Sequence, residues 1–216
     1  MTDNIFPKLH KEGYKFLAIS IIITFIILIF SKFFGSIMIL LTVWVYYFFR
    51  DPERHSINDN SFLVSPADGL ITDISDKTGP VELQLENTTF TKVSIFMNVF
   101  NCHVNRSPLA GTVEEISYKP GKFLNASLDK ASDENERNYY RIKCSKSGEE
   151  IIIVQIAGLI ARRIVTDVEQ GQSLKQGERI GMIRFGSRVD IYFKNKKILA
   201  KLGQNVVAGE SLVASE

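Results

Sequence analysis

Hydrophobic residues run almost unbroken from Phe16 to Phe49, with Lys32 the one charge among them, and then give way to ordinary soluble sequence. Phe16–Phe30 reads FLAISIIITFIILIF and Ile37–Phe49 reads IMILLTVWVYYFF, with SKFFGS between them. Neither stretch has a polar face, so neither suits the surface of a small soluble domain. As helices these cores span roughly 22 and 20 Å, short of a hydrocarbon layer of roughly 30 Å. Starting the first helix at Tyr14, letting Lys32 snorkel and adding a turn from Phe33 or Phe34 brings a helical hairpin to that thickness. Lys8, Lys11 and Lys15 precede the pair and Arg50 and Arg54 follow it. The positive-inside rule then leaves both ends, and the bulk of the chain, on the cytoplasmic face. Trp44, Tyr46 and Tyr47 fall where an interface would lie. The apolar stretch is too long for a cleaved signal peptide, and no small-residue cleavage site follows it before Arg50. A hairpin buried in a soluble core is the competing reading.

After FFRDPER, Pro52 argues against further helix and short β-branched runs begin, punctuated by Gly and Pro. The pattern predicts strands at Gly69–Ser75, Val81–Leu85, Val93–Phe100, Thr112–Tyr118, Tyr139–Lys143, Ile151–Ala157, Arg179–Arg184 and Arg188–Phe193. Asn125–Asn138, NASLDKASDENERN, is polar and weakly patterned, a solvated loop or a short surface helix. Two internal echoes organise the strands. SPADGLITDIS from Ser65 matches SPLAGTVEEIS from Ser107, and GQSLKQGERI from Gly171 matches GQNVVAGESL from Gly203. Residues 1–50 therefore read as a membrane-associating helical segment, and residues 51–216 as one mainly β (α+β) domain. Its quasi-repeated halves suggest a compact β-sandwich similar to the barrel-sandwich hybrid of lipoyl and biotinyl carrier domains. The carrier lysine flanked by methionines is absent, so the likeness is one of architecture.

Composition narrows the function. Of 216 residues, 45% are hydrophobic and 23% charged, with a net charge of +2, which suits neither a disordered chain nor a basic nucleic-acid binder. Cys102 and Cys144 are too few for a disulfide framework and fit a reducing compartment. His10, His55 and His103 are far apart, and neither a zinc-binding His-Glu-x-x-His nor a phosphate-cradling glycine loop occurs, so no metal or nucleotide is expected.

The remaining chemistry centres on RFGSRVD, Arg184 to Asp190. A period of two puts Ser187 on the side of Ile183, Phe185, Val189 and Ile191, so its hydroxyl faces the core. A serine bonded to a backbone carbonyl at a glycine bulge would give the same pattern. The chemical alternative is an acyl shift, in which a strained Gly186 lets the Ser187 hydroxyl add to the Gly186 carbonyl carbon. Loss of the serine α-proton would then split the chain after Gly186, and hydrolysis would leave a pyruvoyl group.

RFGSRVD, FFRDPER, SPADG, FMNVFNCHVNRSP and DKASDENERN, together with the apolar amino terminus, resemble the short form of the phosphatidylserine decarboxylases, a pyruvoyl family. The resemblance covers nearly the whole chain. It implies decarboxylation of phosphatidylserine to phosphatidylethanolamine by a self-processed precursor. Ser187 matches the serine that becomes the pyruvoyl group and forms the Schiff base with substrate. Gly186 matches the end of the large chain, giving a β chain of residues 1–186 and an α chain of residues 187–216. Asp68 of SPADG matches the aspartate of the self-cleavage triad in longer forms, although an Asp-Gly pair is also a common turn. His103 matches the histidine linked there to decarboxylation, although a lone His among apolar residues is often structural. Arg106 replaces the second histidine of the longer forms. Being always protonated, it cannot serve as the base. His103 could serve both steps, or Asp68 could act through water.

Arg106, Arg137, Arg184 and Arg188 are candidates for the lipid phosphate or carboxylate, with Arg106 foremost and ion pairing the competing role for the others. The implied partners are the phospholipid and its membrane, the two chains of one precursor and a second copy in a homo-oligomer, with no nucleic acid. Three other functions compete. A membrane-anchored barrel-sandwich adaptor would remain a single intact chain. A pyruvoyl decarboxylase of a soluble amino acid would have little use for Phe16–Phe49. A membrane-bound serine hydrolase would keep Ser187 as a serine.

Overall fold

The computed structural model describes residues 6–124, 134–158, 163–184 and 187–216. The chain divides into two compact units, Met1–Glu53 and Arg54–Glu216.

The first unit is a helical hairpin of α1 (Gly13–Phe30) and α2 (Lys32–Phe48). Ser31 alone breaks the helix, with extended backbone and a side-chain oxygen that accepts Phe34 N–H at 3.4 Å. The turn is thus shorter than SKFFGS suggested, because Phe33, Phe34 and Gly35 join α2. Between the helices Thr42 Oγ1 lies 2.6 Å from Ser20 Oγ and 2.8 Å from Thr24 Oγ1. These are the hydroxyls that need partners where no water reaches. At the open end, His10 N–H donates to Phe49 O at 2.9 Å and Tyr46 OH donates to Pro7 O at 2.6 Å. Ile22, Phe25, Ile29, Phe30, Phe33 and Leu40 are exposed around the hairpin. By length and composition α1 is long and apolar enough to cross a membrane, and α2 is one residue shorter.

The second unit is mostly β. Its strands are β1 (Phe62–Val64), β2 (Gly69–Thr78), β3 (Thr89–Met97), β4 (Val104–Arg106), β5 (Gly111–Lys119), β6 (Arg137–Cys144) and β7 (Glu150–Ala157). They continue with β8 (Arg163–Thr166), β9 (Ser173–Leu174), β10 (Arg179–Arg184), β11 (Ser187–Phe193), β12 (Lys197–Ile198), β13 (Asn205–Val206) and β14 (Leu212–Ser215). A curled eight-stranded sheet has the order β13-β2-β3-β11-β7-β6-β5-β9, and two three-stranded sheets have the orders β1-β14-β12 and β4-β10-β8. One apolar core draws on all three, from Leu63 and Val213 through Ile180 and Ile183 to Ile95, Ile153 and Val189. The alternation along β7 feeds both faces. Ile151 and Ile153 join this core, while Ile152, Val154 and Ile156 join a smaller cluster with Leu83 and Phe90.

The sequence echoes have structural counterparts. Ser65 Oγ donates to Ala67 O and Ser107 Oγ to Leu109 O, both at 2.7 Å. Gly209 N–H donates to Ser65 O and Gly177 N–H to Ser107 O, both at 2.8 Å. The strand order carries the same correspondence, since β13-β2-β3-β11 and β9-β5-β6-β7 meet at the β11–β7 pair.

Val81–Leu85, expected as a strand, instead begins with a short 3-10 helix at Val81–Leu83, where Leu83 N–H donates to Pro80 O at 3.2 Å. Pro80 supplies the bend, and Gln84 ends the turn in the left-handed region. The strand expected to reach Phe100 stops at Met97, because the Asn98 and Asn101 side chains cap a turn there. Residues 125–133 of the polar segment lie outside the described residues, while Arg137 and Asn138 open β6.

Candidate active site

Ser187 begins β11, one of the two central strands of the large sheet, and faces Met97 on one side and Ala157 on the other. It is fully buried on the same side as Val189 and Ile191. Its hydroxyl donates to Met97 Sδ at 3.6 Å. A thioether is a weak acceptor, so the proton is lightly held and the lone pairs of the oxygen are not spent on that bond. Gly186 and Phe185 lie outside the described residues.

His103 is fully buried just before β4. Its carbonyl accepts Ile183 N–H at 3.3 Å, which sets it against β10, the strand that precedes Ser187 in the chain. Its Nδ1 lies 3.0 Å from Asn101 O. A carbonyl only accepts, so this bond assigns the proton to Nδ1 and makes Nε2 the basic nitrogen. Ser187 is thus paired with the last residue of β3, and His103 follows the connection that leaves that residue and is bonded to β10.

Asp68 and Arg106 are each bonded at or beside the first Ser-Pro turn. Asp68 Oδ2 accepts from Arg54 Nη2 and Oδ1 from Ala208 N, each at 2.8 Å. Arg106 N–H donates to Pro66 O, and its buried guanidinium donates to Gly177 O, both at 2.9 Å. The other arginines differ in setting. Arg188 forms a bidentate, buried pair with Asp190 at 2.9 and 3.0 Å, Arg137 pairs with Glu82 at 3.3 Å, and Arg184 is half-buried at the end of β10.

Arg188, Asp190 and Tyr192 point away from Ser187 by the strand period. On that face a groove of about 720 Å³ is lined by Asp190, Tyr192, Lys92, Glu82, Lys119 and Arg137, among others. Lys92 pairs with Asp73 at 2.9 Å and Lys119 with Glu82 at 2.7 Å, so these cations already have carboxylate partners. The candidate chemistry lies on the other side of the sheet.

A polar chain lies behind Ser187. Asn105 Nδ2 donates to Met97 Sδ at 3.7 Å, Gln155 Nε2 to Asn105 Oδ1 at 2.8 Å, and Tyr140 OH to Gln155 Oε1 at 2.8 Å. All three side chains are fully buried.

The phosphatidylserine decarboxylase family profile matches residues 41–214. A protein of Pelagibacter ubique (strain HTCC1062) is 62% identical over 216 residues, the full length of both chains. One from Ruegeria pomeroyi is 48% identical over 99% of this chain and 98% of its own. One from Rickettsia akari is 46% identical over 98% of this chain and 92% of its own. Each is named a phosphatidylserine decarboxylase proenzyme.

The chain belongs to the phosphatidylserine decarboxylase family.

Sequence reasoning missed Met97, Asn105, Gln155, Tyr140 and Arg54. One signal was available. Gln155 is the single polar residue in the run IIIVQIA, and a lone amide in a buried strand needs a partner across the core. The partner itself depends on β4 facing β7, which no local pattern reveals.

Proposed function

We propose that this chain cuts itself between Gly186 and Ser187 and, so processed, decarboxylates phosphatidylserine to phosphatidylethanolamine at the new amino terminus of residue 187. The observation that carries the proposal is the placement of Ser187, a buried hydroxyl at the start of a central strand that, among the described residues, donates to a thioether. In self-cleavage Oγ bonds to the Gly186 carbonyl carbon as the C–N bond to Ser187 breaks, and the serine proton ends on that nitrogen. Removal of the α-proton then expels the Gly186 carboxylate, and water releases ammonia to leave the pyruvoyl carbonyl.

The residues present suit that group. A new chain end at Ser187 is fully shielded, where an α-ammonium would be strongly disfavoured and a neutral ketone is not. The pyruvoyl carbonyl supplies an electrophile for the substrate amine and a sink for the electron pair left by carbon dioxide. His103 is the proton donor to the substrate carbon in this reading, with Nδ1 anchored on Asn101 O and Nε2 the nitrogen that gains the proton and then transfers it. Asp68 is the self-cleavage carboxylate and Arg106 the cation for the lipid phosphate or carboxylate. Both are bonded within the fold, to Arg54 and Ala208 and to Gly177, so their engagement requires those bonds to exchange.

The products would be a β chain of residues 1–186 and an α chain of residues 187–216. The helical hairpin holds the enzyme at the cytoplasmic face, where a two-chain lipid stays in the bilayer. The echoed halves support the finer fold reading, a barrel-sandwich hybrid, and a homo-oligomer is part of the same proposal. Carbon dioxide release from carboxyl-labelled phosphatidylserine vesicles tests the activity. Wild-type protein releases label and Ser187→Ala does not, whereas equal release from both overturns the assignment.

A further inference from the structure

Ser187 Oγ and Asn105 Nδ2 direct hydrogens at one atom, Met97 Sδ, at 3.6 and 3.7 Å. Behind Asn105 the hydrogen bonds run in one direction. Tyr140 OH donates to Gln155 Oε1 and Gln155 Nε2 donates to Asn105 Oδ1, both at 2.8 Å. The amide oxygen of Asn105 is therefore engaged, and its N–H is directed at Met97 Sδ, the atom that also takes the serine hydroxyl. Burial pushes the Tyr140 phenol up, so it stays a neutral donor and the direction of the chain holds.

This chain sits in a core that is otherwise largely Ile and Val. Apolar side chains of the same shape would fill that space at little loss of stability, so fold stability does not account for three buried polar side chains in series. Their order ends on a poor acceptor beside a nucleophile. An oxygen that gains negative charge competes for the Asn105 N–H far better than a thioether does.

Resting on the reading of Ser187 as the self-cleaving serine, we propose that Asn105 is a positioning residue for that step. Its carboxamide fixes Met97 Sδ, which orients the serine hydroxyl, and its N–H stabilises Ser187 Oγ as the hydroxyl proton leaves. The step is the acyl shift already written, in which Oγ bonds to carbon, the C–N bond breaks and the proton ends on nitrogen. Gln155 and Tyr140 hold the carboxamide in register.

Two variants of the full-length chain test this after cell-free synthesis, with cleavage followed in the folded fraction. Asn105→Asp keeps the shape and the acceptor for Gln155 and removes the N–H. The double variant Asn105→Leu, Gln155→Leu replaces the amide pair by apolar groups, and Tyr140 OH keeps Thr166 Oγ1 at 3.2 Å and Ile180 O at 3.3 Å. Both variants fold and split on the order of 100-fold more slowly than wild type, the scale of one lost charge-stabilising donor. The Asn105→Asp deficit widens from about pH 6 to about pH 9, because the protonated carboxyl can donate and the ionised one cannot. A merely structural role would give parallel pH profiles. A folded variant of either kind that splits at the wild-type rate overturns the role of Asn105. Wild-type protein that stays intact overturns the reading of Ser187 instead.

Discussion

Asp68 Oδ2 accepts a 2.8 Å hydrogen bond from Arg54 Nη2, with side chains only 11% and 15% exposed. The carboxylate also takes Ala208 N–H, so Asp68 ties the residue that opens the β unit to a turn near its carboxy terminus. Removing one member of a mostly buried pair strands the other charge, although Arg54 keeps a longer 3.8 Å pairing with Glu210. Asp68→Ala is expected to lower unfolding free energy by about 2 kcal/mol and to slow self-cleavage. Arg54→Met is expected to show a comparable stability loss. Urea unfolding and chain splitting of both variants separate structure from chemistry. If Arg54→Met also splits slowly, Asp68 acts through the fold.

His103 has its Nδ1 proton fixed by Asn101 O. His103→Ala is expected to yield the two chains yet to lose decarboxylation by on the order of 100-fold or more, as for removal of a positioned proton donor. An uncleaved His103→Ala chain would assign the imidazole to self-cleavage.

Gly69 and Gly111 occupy matching places after the two Ser-Pro turns. A Cβ at Gly69 would overlap Phe96 O and one at Gly111 would overlap Lys143 O, and neither backbone can swing aside without breaking the large sheet. Gly69→Ala and Gly111→Ala should each destabilise by about 2 kcal/mol or more. Urea midpoints check the pair, and one tolerated substitution would break the equivalence of the halves.

Glu82 gives the fold an acid limit. Burial would raise its carboxyl, but hydrogen bonds from Lys119 and its own backbone and the nearby Arg137 hold it below the ordinary value. A depressed folded value means the stabilisation is complete above the unfolded glutamate value of about 4.3 and is lost as pH falls through the lower folded value. Asp73, half-buried and bonded to Lys92 and Ser75, shifts the same way. Melting temperature should therefore fall from about pH 5 to about pH 3, and less steeply for Glu82→Gln. Superimposable curves would contradict this.

Much of the molecule is legible in its sequence. Arg179–Arg184 forms the strand its pattern predicts, and the Ser-Pro echoes locate two turns with matching hydrogen bonds. The serine falls on the core face because a period of two leaves no other choice once Val189 and Ile191 are inside. β9, β12 and β13 escape notice because two residues cannot show a period. Val81–Leu83 misleads because β-branched and apolar residues after Pro-containing turns suit a strand until the chain bends. Asn105 and Gln155 come together only through the stacking of β4 on β7, a contact between residues far apart in the chain.

Intact mass of freshly purified protein, denatured and reduced, tests the central claim most directly. The account predicts two chains, residues 1–186 and 187–216, the smaller with a carbonyl in place of the serine amine and a mass that shifts on borohydride treatment. Ser187→Ala should give one chain. A single intact mass for folded, active wild-type protein would contradict it.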